Sequence, residues 1–132
     1  MSQAIFGADT TAIVATVSAS LTPELALDYL GELSTDIKAS VVLSADGRTA
    51  AASRPGEAGD RMRELTQQLF ERADAADSQV VTQIEVSTGA GAVFAVRDER
   101  WTIGVVTGRF ALSSLMFYDL RSVLGDLEGK TA

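Results

Sequence analysis

Residues 40–53 read SVVLSADGRTAAAS. Val41, Val42 and Leu43 make the first half a strand, and Asp46-Gly47 is a strong turn signal between two strands. The second half must then be the returning strand, yet it offers three consecutive alanines, Ala50, Ala51 and Ala52. A strand with so little bulk belongs at a sheet edge, where little core lies beneath it. Small side chains there also let a helix lie close to the sheet.

Helices are expected on both sides of this hairpin. Upstream, Thr22-Pro23-Glu24 is a helix start: a capping hydroxyl, a proline at the first helical position and an acid near the positive end. Leu25, Tyr29, Leu30 and Leu33 follow at helical spacing, with an end near Ser34. Downstream, Arg54-Pro55-Gly56-Glu57 breaks regular structure and a second helix fits residues 58–76. Its Leu65, Ala76, Leu69, Met62, Ala73, Thr66 and Phe70 spread over an arc of roughly 140°, with Phe70 at the edge.

Three strands then come in quick succession, over residues 80–87, 92–97 and 101–107, joined by short loops. Alternating strands so joined make an antiparallel meander. Ile103, Val105 and Val106 leave the last of them apolar on both faces, as a central strand covered above and below requires. A final helix over residues 112–127 carries Leu112, Leu115, Met116, Leu120, Val123, Leu124 and Leu127. The expected fold is α+β, a five-stranded antiparallel sheet with helices on both faces in the order α-β-β-α-β-β-β-α. Residues 22–128 form this domain, residues 1–21 an extension and residues 129–132 a tail. Residues 4–21 fit either a short helix or a strand.

Composition narrows function. The 132 residues suffice for one domain with its own core. The chain has no cysteine and no histidine, which removes disulfides, thiol nucleophiles, thiolate or imidazole zinc sites and histidine-based triads. No cofactor or metal is expected. A net charge of −7 disfavours nucleic acid and anionic membranes as partners. The first twenty residues hold no Lys or Arg and do not read as a secretory signal, so a cytoplasmic location is expected.

The residues with chemical interest are few. Residues 125–131, GDLEGKT, look like a phosphate loop but have three residues between the glycines where four are needed, and no helix follows. Gly89-Ala90-Gly91 joins two strands and is a hairpin loop. Asp119 falls inside the apolar arc of the last helix. A buried carboxylate there could serve as an acid or base, or bond backbone donors or an arginine (Arg109 or Arg121) and fix the helix on the sheet. With no second acid, nucleophile or histidine in pattern, the structural role is preferred. Trp101 is a core or sheet-edge aromatic before it is a ligand-stacking ring. No self-sufficient active site is present in the pattern, and no catalytic residue is assigned.

The order of elements and three stretches resemble the roadblock/dynein light chain domain, particularly its bacterial members related to MglB. The stretches are residues 37–48, IKASVVLSADGR; residues 91–106, GAVFAVRDERWTIGVV; and residues 111–127, ALSSLMFYDLRSVLGDL. The resemblance implies a profilin-like architecture, with the middle helix on one face and the terminal helices on the other. It also implies a homodimer in which the strand after the middle helix pairs with its copy and the middle helices pack together. Met62, Thr66, Phe70, Val81, Gln83 and Glu85 are the residues expected at that interface. Members of the family bind Ras-like small GTPases or serve as platforms in larger assemblies, which implies a GTPase adaptor or regulator without catalytic groups of its own. The alternatives are a dimeric scaffold in a signalling or polarity complex with no effect on hydrolysis and, from another class, a small-molecule sensor.

Overall fold

The hairpin forms as expected. The computed structural model describes residues 20–128, and in it β1 (Ile37–Ser44) pairs antiparallel with β2 (Thr49–Ala52). The Gly47 amide donates to the Ser44 carbonyl at 2.9 Å and Gly47 sits at φ 86°, a left-handed conformation that glycine adopts without a steric cost. The Ser44 hydroxyl and the Arg48 amide both donate to the Asp46 carboxylate. These bonds, the Ser44 hydroxyl first, hold the Asp46 carboxyl below its ordinary range.

Three more strands complete the sheet: β3 (Gln83–Ser87), β4 (Ala92–Arg97) and β5 (Trp101–Thr107). The spatial order is β2-β1-β5-β4-β3, so β5 is central and β2 and β3 are the edges. All neighbouring pairs are antiparallel. The strand expected over residues 80–87 begins three residues later. Its partner β4 ends at Arg97, whose amide donates to the Thr82 carbonyl (3.0 Å) as one backbone bond beyond β3 and whose Nε donates to the Val81 carbonyl (2.8 Å).

Helices cover both faces. The helix α1 (Pro23–Leu33) is capped by the Thr22 hydroxyl, which accepts from the Leu25 amide at 3.1 Å. It lies with α3 (Ser113–Asp126) on one face, while α2 (Glu57–Ala76) lies alone on the other. The larger core belongs to the two-helix side: Leu27, Leu30, Leu120 and Val123 pack on Val42, Phe94, Ile103 and Val105. Phe94 and Phe117 meet edge to face, centroids 5.3 Å apart. Leu21 forms a parallel bridge with Leu127, the Leu21 amide donating to Asp126 and the Glu128 amide to Leu21, each at 2.7 Å. The segment with two open readings, residues 4–21, lies outside the described residues except for Ser20 and Leu21.

The α2 side works by close approach instead of bulk. A Cβ placed on Gly104 of β5 would collide with the Thr66 hydroxyl, so Thr66 occupies the space that a side chain would fill. Thr66 is wholly buried, and its hydroxyl donates to the Met62 carbonyl at 2.8 Å. At the start of the helix a Cβ on Gly59 would meet the Arg54 carbonyl at 2.7 Å and the Ala52 methyl at 3.2 Å. The alanines are thereby explained: Ala52 admits α2 on one face, and Ala51 joins the α1 side on the other.

Gly104→Ala should cost about 1–3 kcal/mol by forcing the helix off the sheet. Adding Thr66→Ala should return part of that loss. Urea unfolding of the single and double variants measures both.

Candidate interaction surfaces

Backbone alternation decides what each sheet face presents. Gly104 faces α2; Ala95 is its register partner in β4 and Ile84 the next in β3, so these share the α2 side. By the same alternation Val86, Val93 and Val106 lie there too. Gln83 and Glu85 point the other way, and the Glu85 carboxylate accepts from the Ser113 hydroxyl at the start of α3 (2.7 Å).

The helix α2 crosses this face from β2 to β4. Gly59 meets Ala52, Thr66 meets Gly104, and Phe70 and Asp74 reach Arg97. Its inward residues are Gly59, Met62, Thr66 and Phe70, with Phe70 only 4% exposed and Met62 7%. Three of the residues expected at a subunit interface, Met62, Thr66 and Phe70, are therefore spent on the subunit's own sheet. The arc read from the sequence is wide enough for two surfaces, and the sheet takes the part containing these three. The rest, Leu65, Leu69, Ala73 and Ala76, is half-buried or exposed. Of the strand residues, Val81 is half-buried and precedes β3, while Gln83 and Glu85 are exposed.

One edge of this region is held by Arg97. Its guanidinium lies 4.2 Å from the Phe70 ring centroid, donates to Asp74 at 2.6 Å and, through Nε, to the Val81 carbonyl. The bond from Arg97 holds the Asp74 carboxyl below its ordinary value of 3.8; partial burial opposes this and the arginine's charge adds to it. A lowered carboxylate stabilises the fold above its ordinary value and loses that contribution as the pH falls through its folded one. At the middle of α2, Gln67 Nε2 donates to the Gly47 carbonyl at 3.0 Å and ties down the hairpin tip.

Asp119 is not in the core. It is half-buried on the flank of α3, beside the exposed Leu112 and Leu115, while Met116, Leu120, Val123 and Leu124 make the buried stripe. The apolar arc of this helix exceeds what the sheet can cover, and Asp119 lies in the excess. Neither Arg109 nor Arg121 forms an ion pair with it. Trp101 is half-buried against the larger core, and its Nε1 donates to the Glu128 carbonyl at 3.0 Å. Among the described residues, no group of three or more acids gathers as a metal site.

Comparison with known proteins locates the fold. No family model and no curated protein matches the chain. Solved structures do. A Roadblock/LC7 domain from Streptomyces avermitilis superposes with a TM-score of 0.71 at 19% identity, over 79% of this chain and 92% of that one. The gliding protein MglB from Thermus thermophilus gives 0.60 at 13% identity, over 76% and 85%. Profilin II from Acanthamoeba castellanii gives 0.56 at 12% identity, over 78% and 94%. The architecture is that of roadblock and profilin-like proteins.

Asp74→Asn should lower Tm at neutral pH. The gap to the unaltered protein should begin to narrow as the pH falls past 3.8 and close only beneath the lowered folded value, where both carry a neutral group at this position. Thermal unfolding followed across pH tests this.

Proposed function

We propose that the chain is a homodimeric adaptor that regulates a small Ras-like GTPase through protein contacts, with no bond-making chemistry of its own. The observation that carries this is apolar surface left in contact with water on one side of the sheet. Leu65 and Leu69 of α2 and Ile84 and Val86 of β3 all keep partly or fully exposed side chains on that side, and the outer edge of β3 pairs with no other strand among the described residues. An exposed edge with apolar side chains invites pairing, and a second copy is the simplest partner to satisfy it. Two β3 strands side by side would extend the sheet, and the two α2 flanks would close over the seam.

The resemblance of the sequence to roadblock domains and the likeness of the fold to MglB support the GTPase as partner. A chain without histidine or cysteine would act by favouring one conformation of that GTPase. Fold alone does not supply function, as the profilin likeness illustrates.

Light scattering at micromolar concentration should give twice the 13.9 kDa chain mass. Leu65→Asp or Val86→Asp should give monomers with an unchanged circular dichroism spectrum. Phe70→Asp should instead unfold the subunit, because its ring is buried. A monomer from the unaltered chain would remove the dimer. For the partner, capture of a GTP-binding protein is followed by its hydrolysis rate with and without this chain. A changed rate is expected; binding at an unchanged rate would leave a scaffold.

A further inference from the structure

We propose that the cleft between α1 and α3 is a docking site for a basic amphipathic helix of another protein. The cleft lies on the opposite side of the sheet from the α2 flank, so it does not rest on the dimer.

Exposed apolar bulk is concentrated here. Among the described residues, seven of the ten exposed large apolar side chains belong to α1, to α3 or to the turn leading into α3. On α1, Leu25, Tyr29 and Leu33 recur every fourth residue and form a stripe beside the buried one. Across from Leu33, Leu115 lines the same depression together with Leu112 (68% exposed) and Phe110 (87%). Clustered bulk of this kind marks an interaction surface, where scattered residues would not.

The cleft holds two depressions, and acids line both. At one end Leu21, Leu25 and Tyr29 are joined by Asp28, Glu32 and Asp126. At the other, Leu33, Phe110, Leu112 and Leu115 are joined by Asp36 and Asp119. Neither lining includes a Lys or Arg. Arg109 adjoins Phe110 but lines neither depression, and Arg121 lines a separate one with Thr82 and Leu124.

This pattern selects the occupant. An anionic membrane would be repelled by the five carboxylates. A second copy docked face to face would set those same carboxylates against each other. The chain's own residues 1–19 carry Asp9 and no Lys or Arg, so they offer the acids no counter-charge. An extended peptide gains little, since a helical wall has no free backbone edge to pair with it. A helix with an apolar stripe and flanking Lys or Arg satisfies both the floor and the rim. The 11-residue α1 is about 16 Å long, so about three turns of partner helix fill the cleft.

The test uses the full chain and a fluorescent Leu/Lys amphipathic helical peptide of about 14 residues, with a Leu/Glu peptide of the same pattern as control. Anisotropy is read at physiological ionic strength. The Leu/Lys peptide should bind, and the Leu/Glu peptide at least about tenfold more weakly. Tyr29→Ser with Leu115→Ser leaves the net charge unchanged and should weaken binding about tenfold or more. Asp28→Asn with Asp126→Asn should also weaken it. Glu57→Gln with Asp60→Asn and Glu64→Gln on α2 removes more charge and should leave binding unchanged. Equal losses from the α2 and cleft substitutions would mean unspecific charge attraction and overturn the proposal. So would Leu/Lys binding that is indifferent to Tyr29→Ser with Leu115→Ser. Replacing Ile5, Phe6, Ile13 and Val14 by Ser in the full chain should change nothing. A rise of about tenfold would make the chain's own first residues the occupant and end the proposal in favour of self-blocking.

Discussion

Thr66 rests where Gly104 has no side chain, and the placement of α2 follows from that contact. Because the helix sits low at this point, Phe70 reaches Arg97 one turn later and Gly59 reaches Ala52 two turns earlier. A helix held by small residues has little bulk to spend, so its inward stripe is narrow: Gly59, Met62, Thr66, Phe70. Leu65 and Leu69 are left outside that stripe, one exposed and the other half-buried. The openness of one side of the molecule is thus a consequence of glycine in the central strand.

The two faces solve the same problem differently. On the α1 and α3 side, Phe94, Ile103 and Leu120 fill a core of ordinary thickness. That core is broad enough to anchor two helices but not to cover their outer flanks, so Leu25, Tyr29 and Leu115 stay in contact with water. On the α2 side the core is thin, and the exposed apolar surface comes from the sheet as much as from the helix. Both faces therefore present apolar area, with different chemistry around it. Acids rim the first, while the second runs on to a strand edge that is unpaired among the described residues.

Much of the architecture was legible in the residues. Asp46-Gly47, Thr22-Pro23 and the short loops around residues 88–91 and 98–100 mark their own turns, and β4 and β5 have the expected bounds. Apolar patterning located α1, α2 and α3 and named the central strand. It could not divide an apolar arc between the chain's own sheet and other surfaces, so it did not reveal that Met62, Thr66 and Phe70 are buried on that sheet or that Asp119 is half-buried on a helix flank. Periodicity gives direction around a helix axis, but the width actually covered depends on the sheet beneath. Gly104 was the available signal: a glycine inside an otherwise apolar strand marks a close approach. The start of β3 was also hidden, because it depends on where its partner β4 ends, at Arg97, before the loop at residues 98–100.

The Leu21–Leu127 bridge has a mechanical consequence. The two short segments run parallel, and one is entered from its beginning while the other is left from its end. Tension applied between the two ends of the domain would slide one segment along the other, loading both backbone bonds at once instead of one after another. Shear of that kind resists pulling better than peeling does, and the rate of forced opening would be set at this corner before any strand of the sheet felt the load.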